Sequence, residues 1–335
     1  MADRGATTAK MLELMSGFAL SQAVFAVAEL DVSTALSNGS RQLDDLAATV
    51  GADTHSLGRI IRFLAQHGIF RIWAGTVEIT DLGRTLADGG SGTSLRQVAR
   101  YFRQTHYCAF GDLLQAVRTG KPAARSFFGK PFFEWINDDP DLAQLQNEAM
   151  ACFTRGARGD LLDNYDLPGG EVVADIGGAD GSLLVELLTG RPERRGIVYD
   201  LPASVAAAHR TLRAAGLDDR VDIVAGDFFE QVPAADVYVL SAILQDWSDA
   251  YALRILANVK AAAPTDARLV VIDMVDPDAD VPDPGTAVDI IMLAMVGGRQ
   301  RSRAEWSDLM ARAGFSVRRI VRGSGSHVAL EATLA

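Results

Sequence analysis

The sequence predicts a doubly wound α/β domain preceded by a smaller helical module of winged-helix type, and three observations carry that prediction. First, VVADIGGADGSLL (172–184) runs from a short apolar segment with one acid, Asp175, through a glycine turn into a helical pattern, as a buried parallel strand entering a helix does. Second, the chain after Gly169-Gly170 alternates strand-like with helical segments: Val172–Ile176, Gly196–Asp200, Val221–Ala225, Val237–Leu240, Leu269–Asp273 and Ser316–Val321, with helices such as Asp249–Ala263 and Ser302–Ala313 between them. Third, LDDLAATVG, a turn at Gly51-Ala52-Asp53, HSLGRIIRFLAQHG and the short strands Ile69–Trp73 and Thr76–Ile79 read as a winged helix-turn-helix.

Taken in order, residues 8–30 carry one helical pattern whose apolar stripe (Met11, Leu14, Met15, Phe18, Val24, Val27) is wider than a single core needs, which suits a second subunit. The winged-helix segment offers few cations on its second helix, Arg59 and Arg62, so packing and dimerisation fit it better than a DNA groove. Residues 95–159 read as helices rich in aromatics, broken at Gly120-Lys121-Pro122 and Gly129-Lys130-Pro131. Most of those rings belong to a core, while a few would line a pocket for a flat organic molecule. The expected division is 1–100 for the helical module and 101–335 for the α/β domain, with 101–165 as a helical substrate-pocket segment. The Pro-rich acidic stretch 276–284 is a loop.

The composition excludes several classes. The chain has 335 residues, enough for two cores, and a formal net charge of −11, which argues against nucleic acid and anionic membranes as partners. No signal-like apolar core begins the sequence and no long apolar run could span a membrane. Cys108 and Cys152 fit no zinc or redox spacing, and the five histidines are scattered, so no metal is expected and a reducing cytoplasm is.

Polar residues cluster where strands should end, the place where ligands of such sheets bind. The turn reads D-x-G-G-x-D-G and not G-x-G-x-x-G, and its two carboxylates, Asp175 and Asp180, suit a cationic ligand better than a phosphate. Asp200 in VYDLP stands about 20 residues beyond the turn, where an acid takes ribose hydroxyls. Asp227-Phe228 in AGDFFE can accept from an adenine amino group and stack on its ring, and Ser241 through Asp246 follow the fourth strand. Each alone would serve as a helix cap.

Together with LSAILQDWSDAYALRILANV and DIIMLAMVGGRQRSRAEWSDLMARAGF, these motifs resemble S-adenosylmethionine-dependent O-methyltransferases of the caffeate and isoflavone type and their bacterial relatives in antibiotic pathways. The resemblance spans nearly the whole chain. It implies a Rossmann-like methyltransferase domain and an N-terminal dimerisation domain, in a homodimer whose N-terminal helices help close the partner's site. S-adenosyl-L-methionine would be the cofactor, leaving as S-adenosyl-L-homocysteine. On this resemblance Gly177, Gly178 and Asp175 meet the methionine part, Asp200 and Leu201 the ribose, and Asp227 and Phe228 the adenine, with Ser241 in the same set. A small aromatic acceptor would meet Tyr107, Trp135, Met150, Phe153, Asp246 and Met295.

Two departures stand out. Plant members of the family carry His where this chain has Gln245, as general base, and the Glu that orients it is here Gln300; the acid at the end of the fifth strand remains, as Asp273. A glutamine amide takes no proton near neutral pH. General-base help is worth roughly 10²–10⁴ in rate, or about 3–5 kcal/mol, whereas holding the reactants in line supplies about 7–11 kcal/mol. Proximity therefore sustains methyl transfer to an acceptor that needs little deprotonation, or a base comes from Asp273, His106 or Tyr107. The rival is a cofactor-retaining enzyme that hydroxylates, decarboxylates or cyclises, the sulfonium serving as a fixed charge. A DNA-binding regulator is the third reading, disfavoured by the charge balance.

Overall fold

The computed structural model describes residues 4–89, 94–163, 165–276 and 285–335. The chain divides into two compact units, Met1–Thr105 and His106–Ala335, five residues beyond the boundary expected from the sequence. Of the acidic loop 276–284, only Asp276 lies within the described residues.

In the first unit the expected single helix over residues 8–30 is two, Arg4–Met15 and Gly17–Glu29, bent by 42° at Ser16. Ser16 and Gly17 are poor helix formers, and Ser16 makes no side-chain cap bond. The second helix buries Ala23, Val27 and Ala28 in a core with Leu46, Leu57, Ile61, Leu64 and Phe70. The first leaves Met11, Leu12, Leu14 and Met15 more than half exposed, as is Phe18 just beyond the bend. Asp53 caps the helix Thr54–Gln66 by accepting the Ser56 N–H at 2.8 Å. The wing is a three-stranded antiparallel sheet in the order β1-β3-β2: β1 is Arg41–Gln42, which the sequence reading lacked, β2 is Phe70–Trp73 and β3 is Thr76–Ile79. Ala74 and Gly75, both at positive φ, turn β2 into β3.

The second unit holds a seven-stranded sheet in the order β6-β5-β4-β7-β8-β10-β9. Its strands are β4 Val172–Ile176, β5 Arg195–Asp200, β6 Val221–Ala225, β7 Val237–Ser241, β8 Arg268–Met274, β9 Phe315–Arg322 and β10 His327–Leu334. The first five are parallel, whereas β10 runs antiparallel between β8 and β9. Both faces are covered, so the strands read as apolar runs split by parity. On β7, Tyr238 and Leu240 enter one core with Leu256 and Trp306, and Val237 and Val239 enter the other with Leu184 and Val270. Chain order reverses at β4, which pairs with β5 on one side and β7 on the other; this switch point opens a crevice above the strand ends. Among the described residues no single helix is long and apolar enough to cross a membrane.

Candidate active site

The glycine turn after β4 is shaped by close approach. Gly177 has φ +77°, and a Cβ there would stand 2.3 Å from Ile243 Cδ1. A Cβ on Gly178 would stand 2.9 Å from the Asp175 carboxyl carbon. The turn spends its N–H groups internally: Gly177 and Gly178 donate to the Tyr199 carbonyl (2.8 and 3.3 Å), Ala179 to Asp200 Oδ2 (3.1 Å) and Gly181 to the Gly178 carbonyl (2.8 Å). With the donors turned inward the crevice presents carboxylates, which deepens its preference for a cation over a phosphate.

Asp175 is 1% exposed and its Oδ2 has no hydrogen-bond partner. Burial pushes its carboxyl up to about 7, against the nearby Arg158 and with the charges of Asp200 and Asp180. Arg158, at the end of the helix Pro140–Arg158, is 3% exposed; it donates to Glu186 Oε2 at 3.0 Å and keeps Nε without a partner. Asp200 is aimed by the N–H groups of Ala179 and Leu201 (3.1 and 2.7 Å), and burial raises its carboxyl. Leu201 is partly exposed beside it. Asp227 accepts the Phe229 N–H at 2.8 Å, and the Phe228 ring stands edge-on to Phe229 and Trp247. Ser241 ends β7 with a buried, unpartnered Oγ.

A second cluster gathers where β7 and β8 end. Gln245 and Gln300, 4% and 5% exposed, meet through Gln300 Nε2–H to Gln245 Oε1 at 2.8 Å, and Gln300 Oε1 is left buried without a partner. The Gln300 N–H donates to Asp289 Oδ1 at 2.7 Å. Asp273, 2% exposed, accepts the Met274 N–H at 2.9 Å on Oδ1, and its Oδ2 has no partner. Burial pushes Asp273 up to about 7, opposed by that N–H and by the charge of Arg301. Burial, and then the charge of Asp273, raise Asp246 well above the ordinary carboxylate value.

The aromatic segment forms a connected lattice. Phe128 stacks on Trp135 at 3.7 Å, Phe132 touches both Trp135 and His106, and Phe133 reaches Trp247 at 5.6 Å. Phe153 packs against Met274 and Met292, Tyr107 and Met150 are partly exposed, and Met295 is fully buried in packing. Burial pulls His106 down to about 3, which makes it neutral and a poor base. Arg158 and Arg301 escaped the sequence reading; the one signal was that Arg301 stands directly beside Gln300, since Arg158 shares its helix end with the exposed Arg155. Among the described residues no cluster fit for a metal ion occurs.

The end of β4 thus gathers buried carboxylates, and the ends of β7 and β8 a buried polar cluster. Residues 110–316 match the family model of the O-methyltransferase domain and residues 12–89 that of the O-methyltransferase dimerisation domain; the chain belongs to this family. It is 34% identical over 313 residues to phenazine O-methyltransferase PhzM of Lysobacter antibioticus, covering 93% of this chain and 92% of that one. It is 33% identical over 314 residues to aclacinomycin 10-hydroxylase RdmB of Streptomyces purpurascens, covering 92% and 84%. The neocarzinostatin O-methyltransferase NcsB1, solved with S-adenosylmethionine and 2-hydroxy-5-methyl naphthoic acid, superimposes with a TM-score of 0.81 at 32% identity over 95% of this chain and 96% of that one. S-adenosylmethionine is the methyl donor of the family.

Proposed function

We propose that the chain O-methylates a small aromatic acceptor of secondary metabolism from S-adenosylmethionine, and does so without a histidine base. The observation that carries this reading is the buried hydrogen bond between the Gln300 and Gln245 side-chain amides, at the place where a base and its orienting acid would stand. The residues fit the cofactor: Asp175 Oδ2, Ser241 Oγ and Arg158 Nε are buried polar atoms without partners, and a Cβ on Gly178 would stand 2.9 Å from that Asp175 Oδ2. Arg158 would hold the amino-acid carboxylate, Asp175 and the turn at Gly177 and Gly178 the ammonium side, Asp200 the ribose hydroxyls beside Leu201, and Asp227 with Phe228 the adenine. Bound there, the sulfonium supplies an electrophilic methyl group.

The chain's own part is then to bind, orient and accept a proton. Gln245, its Oε1 engaged by Gln300, offers an amide N–H to an acceptor oxygen. Asp273, carrying a free Oδ2 and titrating near neutrality, takes the proton of an acceptor whose hydroxyl is already acidic. Trp135, Tyr107, Met150, Phe153, Asp246 and Met295 belong to the proposed acceptor side. The apolar face of Met11, Leu14, Met15 and Phe18 would be covered by a second copy of the chain.

A second reading draws on the relative named a 10-hydroxylase: the amide pair would serve equally in an enzyme that keeps the methyl group on its cofactor. The deciding experiment incubates the protein with deuteriomethyl S-adenosylmethionine and a panel of acidic hydroxy-aromatics headed by 2-hydroxy-5-methyl naphthoic acid. Labelled product formed in step with S-adenosylhomocysteine is expected. Acceptor consumed while the labelled cofactor survives would overturn methyl transfer in favour of the second reading.

A further inference from the structure

Behind the acceptor end of the site stands an arginine with no exposed side-chain surface. Arg301 Nη1–H donates to the Leu244 carbonyl and Nη2–H to the Trp247 carbonyl, both at 2.8 Å. Its Nε–H and Nη2–H share Asp249 Oδ1 at 3.0 and 2.9 Å, and the guanidinium lies 5.2 Å from the Trp306 ring. Those two carbonyls bracket Gln245 and Asp246, so one planar fork grips both ends of the turn that carries them.

The preceding residues extend the grip: the Arg299 N–H donates to the Gln245 carbonyl at 2.9 Å, next to the Gln300–Gln245 side-chain bond. Gly298 permits the approach, because a Cβ there would stand 2.0 Å from the Gln245 carbonyl oxygen. A buried cation of this kind adds little stability over a well-packed apolar residue. What it gives is a defined geometry, for which lysine is no substitute.

Taking the methyl-transfer reading for its chemistry, we propose that Arg301 is a positioning residue: its fork, anchored on Asp249, fixes Gln245 and Asp246 in the acceptor site.

The test compares wild type with Arg301→Lys and Arg301→Met, all saturated with S-adenosylhomocysteine. Hydrogen exchange should accelerate about tenfold or more over residues 244–249 in both variants while residues 177–181 stay protected. S-adenosylhomocysteine affinity should remain within about threefold of wild type.

Unchanged exchange at residues 244–249, or equal acceleration at residues 177–181, overturns the positioning role. If Arg301→Met fails to fold, the lysine variant still decides the geometry. None of these measurements needs an acceptor, so their failure is distinct from failure of the methyl-transfer reading.

Discussion

Rebuilding the missing pair one residue at a time should show how closely the two amides are matched. Gln300→Glu removes the N–H that Gln245 Oε1 accepts at 2.8 Å and buries a carboxylate at a position 5% exposed. Gln245 can turn its amide to donate, but Asp246, Asp273 and Asp289 already crowd the region with acid, and Arg301 is fully engaged. The expected cost near pH 8 is about 2–4 kcal/mol, or a fall of about 2–4 °C in Tm for each kcal/mol in a unit of this size. The new glutamate's folded pKa would lie above its unfolded value. Its penalty is therefore absent below the unfolded value and grows as pH rises through the folded one. Adding Gln245→His supplies a cation for that carboxylate, so the double variant should recover at least about 1 kcal/mol relative to the sum of the singles. The assay is a double-mutant cycle by thermal unfolding near pH 5 and pH 8. Additivity within about 0.5 kcal/mol at the higher pH would refute a tightly packed, mutually bonded pair. In activity, the double variant should gain on ordinary phenols, while Gln245→His alone should not gain tenfold on the acceptor that wild type prefers.

Gly178→Ala puts a methyl group 2.9 Å from the Asp175 carboxyl carbon and should weaken S-adenosylhomocysteine binding by about tenfold or more in calorimetry; unchanged affinity would remove that turn from the cofactor site. For Asp273, the gap between about 7 folded and the ordinary 3.8 corresponds to on the order of 4 kcal/mol of stability present at low pH and lost as pH rises to about 7. Asp273→Asn should thus match wild type near pH 4 and exceed it near pH 8 in denaturant titrations, and a variant less stable than wild type at pH 8 would contradict the raised value. Leu14→Glu with Phe18→Glu places charges on side chains 61% and 64% exposed in the single chain and should weaken self-association about hundredfold or more by sedimentation, without loss of helix content.

Parity and turn chemistry made most of the fold readable. The five parallel strands are mostly apolar segments in which single acids such as Asp175, Asp222 and Asp273 stand, and β4 and β6 begin and end where their residues say they should. β10 escaped because it lies between β8 and β9 and is buried on both faces, so HVALEATL shows neither alternation nor a turn signal. The break at Ser16 escaped because the apolar spacing continues across it; only the low helix propensity of Ser16-Gly17 marks it. In the site, the acids at strand ends were legible from their spacing, and Gln245 and Gln300 from their departure from a resembled motif. Where the N–H groups of the glycine turn point was not, since Tyr199 and Asp200 come from the next strand. Arg158 and Arg301 take their meaning from partners 28 and more than 50 residues away, a distance over which local pattern is silent.

The amide pair is better explained as selection for a particular acceptor than as decay of a catalytic dyad. Gln300 Nε2–H and Gln245 Oε1 bond each other inside a loop template that also holds their backbones, and the one polar atom left over, Gln300 Oε1, is available to an occupant of the site. The acid that survives, Asp273, sits where burial lifts it toward neutrality and one oxygen remains free. A carboxylate near pKa 7 cannot ionise an ordinary phenol of pKa about 10 to more than about a thousandth. For a hydroxyl acidified by a neighbouring carbonyl, or one that enters as its anion, that handicap disappears and alignment supplies the larger share of the barrier reduction. An amide N–H then does what a histidine cannot do while acting as a base: it donates to the acceptor oxygen throughout the approach. The acidity of the acceptor, more than its size, is what Gln245 would read.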